Sequence, residues 1–301
     1  MTVESANFRC GLVAIVGAPN AGKSTLMNHF LGQKISITSR KPQTTRNRIL
    51  GIVHRPGFQL ICVDTPGIHK PRGILHDRIV DTAISAMGDV DVILVLADAA
   101  NPDPKSEKII LEALGKISRP VILGFNKVDL IEKPRLLGQI GLWSSRYGFK
   151  EVVPISAKTG DQLETLLRIL SEFLPEGPPL FPEDSLTDMP MRFLAAELVR
   201  EKVFRLTGHE IPYAVAVTTD LFESIPGKTN MWRIVATIHV ERDSQKAILI
   251  GKAGEKLKRI GMDARQEMER LLEARVFLEL FVRVEKNWSQ NTRALRKFGY
   301  A

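Results

Sequence analysis

Two rhythms of apolar residues alternate along the first 174 positions. Short β-branched runs (LVAIVG, FQLICVD, DVILVLAD, PVILGFN and EVVPIS) end at Gly, Asp, Asn or Ser. Between them lie segments whose apolar positions return every three or four residues: STLMNHFLG, ILHDRIVDTAISAM, KSEKIILEALGKI and DQLETLLRILSEFL. The first rhythm is that of buried strands and the second that of amphipathic helices. Their alternation predicts an α/β domain over residues 1–174, a mostly parallel sheet with helices on both faces. Residues 175–190, PEGPPLFPEDSLTDMP, carry prolines that cannot donate to a helix or a sheet ladder and too few apolar residues for a core, and read as a linker. From residue 191 to 301 the rhythm changes to helix (MRFLAAELVREKVFRLTG), strand (YAVAVTTDLF), strand (WRIVATIHVERD), a short helix, a turn, a long helix to about Glu273 and a strand (VFLELFVRVE). That order predicts a smaller α+β domain.

Composition adds limits. With 301 residues, 44% of them apolar and 25% charged, the chain suffices for two folded domains. No run is apolar over the roughly 20 residues that a membrane-spanning helix needs. The start, MTVESANFR, carries Glu4 where an export signal would be basic and then apolar, so a cytoplasmic protein is expected. The two cysteines, Cys10 and Cys62, have no metal-ligand spacing; Cys62 sits in the apolar run LICV and reads as a reduced core thiol. The formal charge is +8, and its placement matters more than its size. No acidic residue occurs between Ser5 and Val63, where Arg9, Lys23, Lys34, Arg40, Lys41, Arg46, Arg48 and Arg55 lie. A second basic cluster is Lys246, Lys252, Lys256, Lys258 and Arg259 against the single Glu255, and a third is Arg293, Arg296 and Lys297. Basic clusters of this kind are consistent with a polyanionic partner, although on a solvated face such residues also serve solubility.

The chemistry is concentrated in short motifs. GAPNAGKST, residues 17–25, follows a predicted strand and opens a predicted helix, the setting in which G-x-x-x-x-G-K-[ST] forms a phosphate loop. Gly17 and Gly22 allow a backbone curl whose N–H groups face the phosphates. Lys23 adds a mobile positive charge for the β- and γ-phosphates, and Ser24 offers a hydroxyl to Mg2+. Asn20, Ala21 and Thr25 complete the candidate phosphate contacts. DTPG places Asp64 where it can hold the metal through water and Gly67 where its N–H can meet the γ-phosphate. NKVD supplies Asn126, Lys127 and Asp129, and SAK supplies Ser156, Ala157 and Lys158. Each motif lies at the end of a predicted strand, where an open α/β sheet places its ligands.

Hydrogen-bond logic selects the base. The Asp129 carboxylate can accept from both N1–H and the exocyclic amine of guanine, and the Ala157 N–H can reach O6. Adenine offers an acceptor at N1 and no amine at C2, and would leave buried groups unpaired. GTP and GDP are the expected ligands.

Taken together, residues 11–174 resemble the translation-factor-related GTPases. ISITSRKPQTTR resembles the first switch of the Era family, and the resemblance implies that Thr45, ahead of Thr44, caps Mg2+ when the γ-phosphate is present. Ras-like enzymes carry a glutamine directly after D-x-x-G; here that position is Ile68, so slow intrinsic hydrolysis is expected. In the resembling subclass an asparagine of the phosphate loop binds K+, which implies that role for Asn20. Lys23, Gly67, Thr45 and Asn20 are thus the candidate catalytic residues.

A lone G-x-x-G is a weak pattern, and the order of elements around GKAG gives it meaning. That order resembles a KH domain of the second topological type, whose loop clamps about four nucleotides of backbone. Gly251, Lys252, Ala253, Gly254, Lys256 and Lys258 are the candidate RNA contacts; Ile248, Leu249, Ile250, Leu257 and Ile260 are a candidate groove floor, although most of them are expected to belong to the core. A GTPase domain, a linker and a terminal KH domain is the arrangement of the Era family. The likeness implies binding to the 3′ end of small-subunit (16S) ribosomal RNA and maturation of the small ribosomal subunit, by a monomer. One alternative is an RNA-binding scaffold with a structural nucleotide. Another, weaker, is peripheral association with the inner face of the cell membrane, with Trp288, Phe298 and Tyr300 touching lipid.

Overall fold

The computed structural model describes residues 8–39, 41, 44–69, 74–208 and 211–300. The alternating rhythm of the first part produces β1 (Arg9–Gly17), α1 (Lys23–Leu31), β2 (Ile49–Arg55), β3 (Phe58–Asp64), α2 (Ile74–Ser85), β4 (Val92–Asp98), α3 (Pro104–Leu114), β5 (Val121–Asn126), α4 (Lys133–Ser144), β6 (Glu151–Pro154) and α5 (Leu163–Glu172). The strands form one sheet in the order β2-β3-β1-β4-β5-β6, parallel except for β2. A mostly parallel sheet is therefore present as expected. The strand β2 and the helix α4 were not foreseen. Gly51 interrupts the apolar run of β2, and Gly138 and Gly141 dilute the helical signal of α4. The two-residue connection Pro56-Gly57, with Gly57 at φ 87°, folds β2 back against β3.

The proline run after α5 is tied down. The buried Gln59 of β3 accepts from the N–H groups of Leu180 and Phe181 at 2.8 and 3.0 Å and donates to the Phe181 carbonyl at 2.7 Å. The Ile52 N–H donates to Leu186 O at 2.9 Å, and Cys10 N–H to Pro175 O at 3.0 Å. Through Asp188 this run counts with the first compact unit. Backbone carbonyls of the run and a single buried glutamine do what the missing apolar residues cannot.

The second unit runs from Met189 and also takes in Ile37–Thr44 and Gly73–Leu75. Its elements are α6 (Met191–Leu206), β7 (Ala216–Ser224), β8 (Met231–Val240), α7 (Asp243–Ile250), α8 (Glu255–Leu272), β9 (Arg275–Val284) and α9 (Thr292–Lys297). The sheet order is β7-β8-β9, with β7 antiparallel and β9 parallel to β8. Leu198, Val199, Phe204, Ile234, Ile238, Leu249, Ile260 and Met268 fill the core between α6, α8 and the sheet. Thr38, Lys41 and Thr44 are held on α6: Thr38 N–H donates to Glu201 Oε1 at 3.0 Å, the buried Arg200 donates to Thr44 O at 2.6 Å, and the Lys41 ammonium donates to the carbonyls of Phe204 and Thr207.

The aromatic tail corrects one expectation. Trp288 is 1% exposed and donates its indole N–H to Ala214 O at 3.0 Å; Phe298 packs edge-on against it at 5.2 Å, and Tyr300 is buried beside it. These rings are core and are not presented to a lipid surface. Among the described residues no helix is long and apolar enough to cross a membrane.

Candidate nucleotide site and nucleic-acid interface

The phosphate loop leaves β1 at Gly17 and enters α1 at Lys23, with Gly22 at φ 102° and Asn20 at φ 63°. A Cβ on Gly17 would stand 2.4 Å from Leu96 O, and one on Gly67 would stand 2.8 Å from Pro19 Cα, so the D-x-x-G segment lies directly on the loop. Ile68 N–H donates to Gly17 O at 3.1 Å and the Thr65 hydroxyl to Ile15 O at 2.8 Å, which fixes that approach. Lys23 is buried and its ammonium donates to Gly17 O and Ala18 O at 3.0 and 2.9 Å. Burial pushes its pKa down to about 8, with the nearby Asp64 carboxylate opposing that shift.

Three hydroxyls gather at Asp64. Ser24 Oγ donates to Asp64 Oδ2 at 2.8 Å, and Ser36 Oγ donates to the same oxygen at 2.7 Å. Thr45 Oγ1 lies 2.8 Å from Ser24 Oγ; because the serine proton is given to Asp64, the threonine is the donor in that pair. Thr44 turns elsewhere, its hydroxyl bonding Lys41 O at 2.8 Å and Ser39 Oγ at 3.1 Å. Geometry thus brings Thr45 to Ser24 and Asp64 and leaves Thr44 apart.

Ser36 escaped the sequence reading. It reaches Asp64 because Asn28 of α1 accepts from the N–H groups of Ile35 and Ser36 at 2.9 and 2.8 Å and donates to Ser36 O at 2.6 Å. An asparagine eight residues upstream was the only available signal.

The donor set fits a magnesium ion. Asp64 is fully buried, and while its Oδ2 accepts from Ser24 and Ser36 its Oδ1 has no hydrogen-bond partner, which leaves a hard oxygen acceptor on the same carboxylate as the hydroxyl cluster. Burial raises the Asp64 pKa, while Ser36, Lys23 and Ser24 oppose the rise. Among the described residues no group of three or more His, Cys, Asp or Glu forms a metal cluster. One carboxylate with hydroxyls is the set expected of Mg2+ that keeps water and phosphate oxygens as its remaining ligands.

The base-recognition motifs are braced to the phosphate loop. The buried Asn126, at the end of β5, accepts from Ala157 N–H at 2.8 Å and donates to Ala21 O at 2.7 Å. Ser156 Oγ donates to Asp129 Oδ1 at 2.7 Å, orienting the exposed carboxylate. Lys127, at φ 67°, pairs its ammonium with Asp98. Lys158 is exposed beside them, and Thr25 sits half-buried in the first turn of α1. Ile68 is fully buried in the core under the sheet, so no side chain reaches a phosphate from that position.

In the second unit, α7 ends at Gly251 and α8 begins after Gly254. Gly251, Ala253 and Gly254 adopt φ values of 72°, 50° and 80°, which turns the chain sharply and leaves Lys252 and Ala253 exposed. Lys258 is exposed on the first turns of α8 and Lys256 is half-buried. A groove of about 410 Å3 opens beside the loop, floored by Leu257, Gly261 and Met262 of α8 and by Leu278 and Leu280 of β9. Lys258 and Arg265 stand at its rim. Of the apolar set around the loop, Leu257 lines the groove, Leu249 and Ile260 are fully buried in the core and Ile248 is exposed.

An open α/β sheet with a phosphate loop, a magnesium-type donor cluster and braced Asn-Asp and Ser-Ala motifs defines a P-loop GTPase, joined here to a KH fold. Family models agree: that of the 50S ribosome-binding GTPase matches residues 12–127 and that of the KH domain matches residues 210–289. Over 293 residues the chain is 53% identical to GTPase Era of Geotalea uraniireducens and 52% identical to GTPase Era of Geobacter metallireducens, each alignment covering 97% of this chain and 98% of the relative. The chain belongs to the Era family of GTPases. Among solved structures, Era of Aquifex aeolicus bound to GDP and AlF4− superposes with a TM-score of 0.93 at 42% identity, covering 97% of this chain and 99% of that one. Era in complex with MgGDPNP and nucleotides 1506–1542 of 16S ribosomal RNA superposes with a TM-score of 0.94 at 43% identity, covering 98% and 99%.

Proposed function

We propose that this protein is a GTP-hydrolysing switch in the cytoplasm that binds the 3′ end of small-subunit ribosomal RNA and assists maturation of the small ribosomal subunit. Residues 1–174 do the nucleotide work and residues 191–301 the RNA work. The observation that carries this reading is the pairing, on one chain, of a buried Asp64 whose Oδ2 gathers hydroxyls while its Oδ1 has no partner with an exposed G-x-x-G loop at the mouth of a groove. Ser24 and Thr45 would hold Mg2+ directly and Asp64 through water; the ion, when bound, neutralises charge on the β- and γ-phosphate oxygens. Lys23 turns from its loop carbonyls to the phosphates, Gly67 N–H meets the γ-phosphate, and Asp129 with Ala157 reads guanine. Lys252, Lys256 and Lys258 meet the RNA backbone, which Gly251 and Gly254 allow to approach. The hold of α6 on Thr38 and on Thr44, the neighbour of Thr45, supports a coupling between nucleotide state and RNA affinity.

Two charge changes test the division of labour. Lys252→Glu is expected to weaken RNA binding about tenfold or more and to leave GDP affinity unchanged, whereas Asp129→Asn should do the reverse; anisotropy with a labelled RNA and calorimetry with GDP read the two separately. Loss of both activities from either substitution, in a protein that melts normally, would refute the assignment.

The buried Ile68 favours slow turnover, and Asn20 at φ 63° on the exposed tip of the loop is the candidate for recruiting K+. Exchange of sodium for potassium should raise the steady-state hydrolysis rate, and Asn20→Ala should erase the difference. Equal rates in both salts, with Asn20→Ala harmless in both, would remove the potassium role.

A further inference from the structure

The strand β9 has two faces. Leu278 and Leu280 point inward and line the groove, while the alternate residues Arg275, Phe277, Glu279, Phe281 and Arg283 point outward. Phe277 is 49% exposed and Phe281 55%, an unusual presentation for two aromatic rings on one strand. The strand is also an edge of its sheet, paired with β8 alone. Glu279 is neutralised by Arg233 of β8 at 2.9 Å. Arg275 and Arg283, at the two ends of the row, are exposed and form no side-chain hydrogen bond or ion pair among the described residues.

We propose that the outward face of β9 is a second RNA site, a stacking platform on which Phe277 and Phe281 each take one unstacked base of the strand that leaves the G-x-x-G groove, with Arg275 and Arg283 meeting its phosphates. The inference rests on the RNA-binding reading of the groove and extends it. Continuity favours this occupant, because β9 is the wall shared by groove and platform and a strand crossing its free edge passes from one to the other. Charge favours it as well: the row is aromatic with unpaired guanidinium groups at both ends and its single carboxylate already paired. The two rings lie four residues apart, about 13 Å along the strand, so each stacks on a separate base without sharing it. Base-on-aromatic stacking tolerates any sequence, and a guanidinium beside the ring adds attraction to phosphate. A second copy of the chain is a poor occupant. Antiparallel pairing of two β9 edges about Glu279 sets Glu279 against itself and Arg275 against Arg283, and like charges directly opposite are unfavourable.

The test uses the full chain and two end-labelled single-stranded RNAs, a 5-mer that fills a groove clamping about four nucleotides and a 12-mer that extends beyond it. The double substitution Phe277→Ala with Phe281→Ala is expected to lower 12-mer affinity about tenfold or more and to leave 5-mer affinity within about twofold. Phe281→Trp is expected to keep 12-mer affinity, and its emission, taken as the difference from the unsubstituted chain with its three tryptophans, should fall on adding the 12-mer and stay constant with the 5-mer. If the alanine variant melts early, this reporter alone decides. Unchanged 12-mer affinity in a folded alanine variant, or unchanged reporter emission at saturating 12-mer, overturns the platform and leaves the face to a protein partner. Failure of the unsubstituted protein to bind the 5-mer is a separate result: it overturns the groove reading and the platform together.

Discussion

Gly22→Ala is expected to weaken GDP and GTP binding by roughly 30-fold or more. The backbone at Gly22 has φ 102°, and a Cβ built there stands 2.2 Å from Nδ2 of Asn126, far inside van der Waals contact. That amide cannot simply move aside, because Asn126 holds Ala21 O on one side and Ala157 N–H on the other. Displacing it leaves two buried backbone groups unpaired at about 1–3 kcal/mol each, so about 2–6 kcal/mol in all. If this cost falls on the binding-competent conformation, affinity drops by roughly 30-fold to more than ten-thousandfold. Gly32→Ala is the control: Gly32 also has a positive φ, 66°, but nothing lies within 4 Å of its added Cβ. It should lower stability by about 1–2 kcal/mol and leave nucleotide affinity intact. Calorimetric titration with GDP and thermal melting separate the cases, and GDP affinity within fivefold of normal in Gly22→Ala would mean that Asn126 does not brace the loop.

On the RNA side, Gly251→Ala and Gly254→Ala are expected to lose RNA affinity for different reasons. Gly251 combines φ 72° with ψ −177°, a region essentially confined to glycine, and its Cβ would sit 2.8 Å from Lys256 Cβ and 3.2 Å from Lys256 N. The loop must reshape, so Gly251→Ala should cost roughly 2–4 kcal/mol of stability and at least about tenfold in RNA affinity, with GDP binding unaffected. Gly254 lines the groove and has open space around its added Cβ. Gly254→Ala should therefore cost only about 1–2 kcal/mol of stability, from its φ of 80°, while the methyl group intrudes on the ground that the nucleic-acid backbone needs. Normal RNA affinity in both variants would mean that the strand does not pass this loop.

The nucleotide motifs were legible because each is local. A phosphate loop needs its glycines, lysine and serine within one strand-to-helix turn, and N-K-x-D and S-A-K likewise sit at single strand ends. The choice of Thr45 over Thr44 came only from resemblance, and the structure supports it with the Thr45–Ser24–Asp64 chain of hydroxyls. Ser36 was missed because its partner lies 28 residues away and is reached through Asn28, a relation that no periodicity records. The strand β2 was hidden by Gly51, which the fold requires: a Cβ there would meet Met27 Sδ at 2.8 Å. The linker reading saw the prolines and overlooked Gln59, whose two polar ends hold that run from 121 residues away.

Period and spacing were enough to set the kind and order of the elements other than β2 and α4, the nucleotide chemistry and the position of the G-x-x-G turn, since all of these depend on neighbours a few residues apart. Which apolar residues face a core and which face a groove needed the packed chain. Leu249 and Ile260 go inward, Leu278 and Leu280 floor the cleft, and Trp288, Phe298 and Tyr300 close over a core that composition alone would have left at the surface. The physical reason is that burial is a property of pairs of surfaces, and those surfaces are brought together by segments tens to hundreds of residues apart. The hydrophobic period tells which side of an element is apolar, and only tertiary contact decides what covers it.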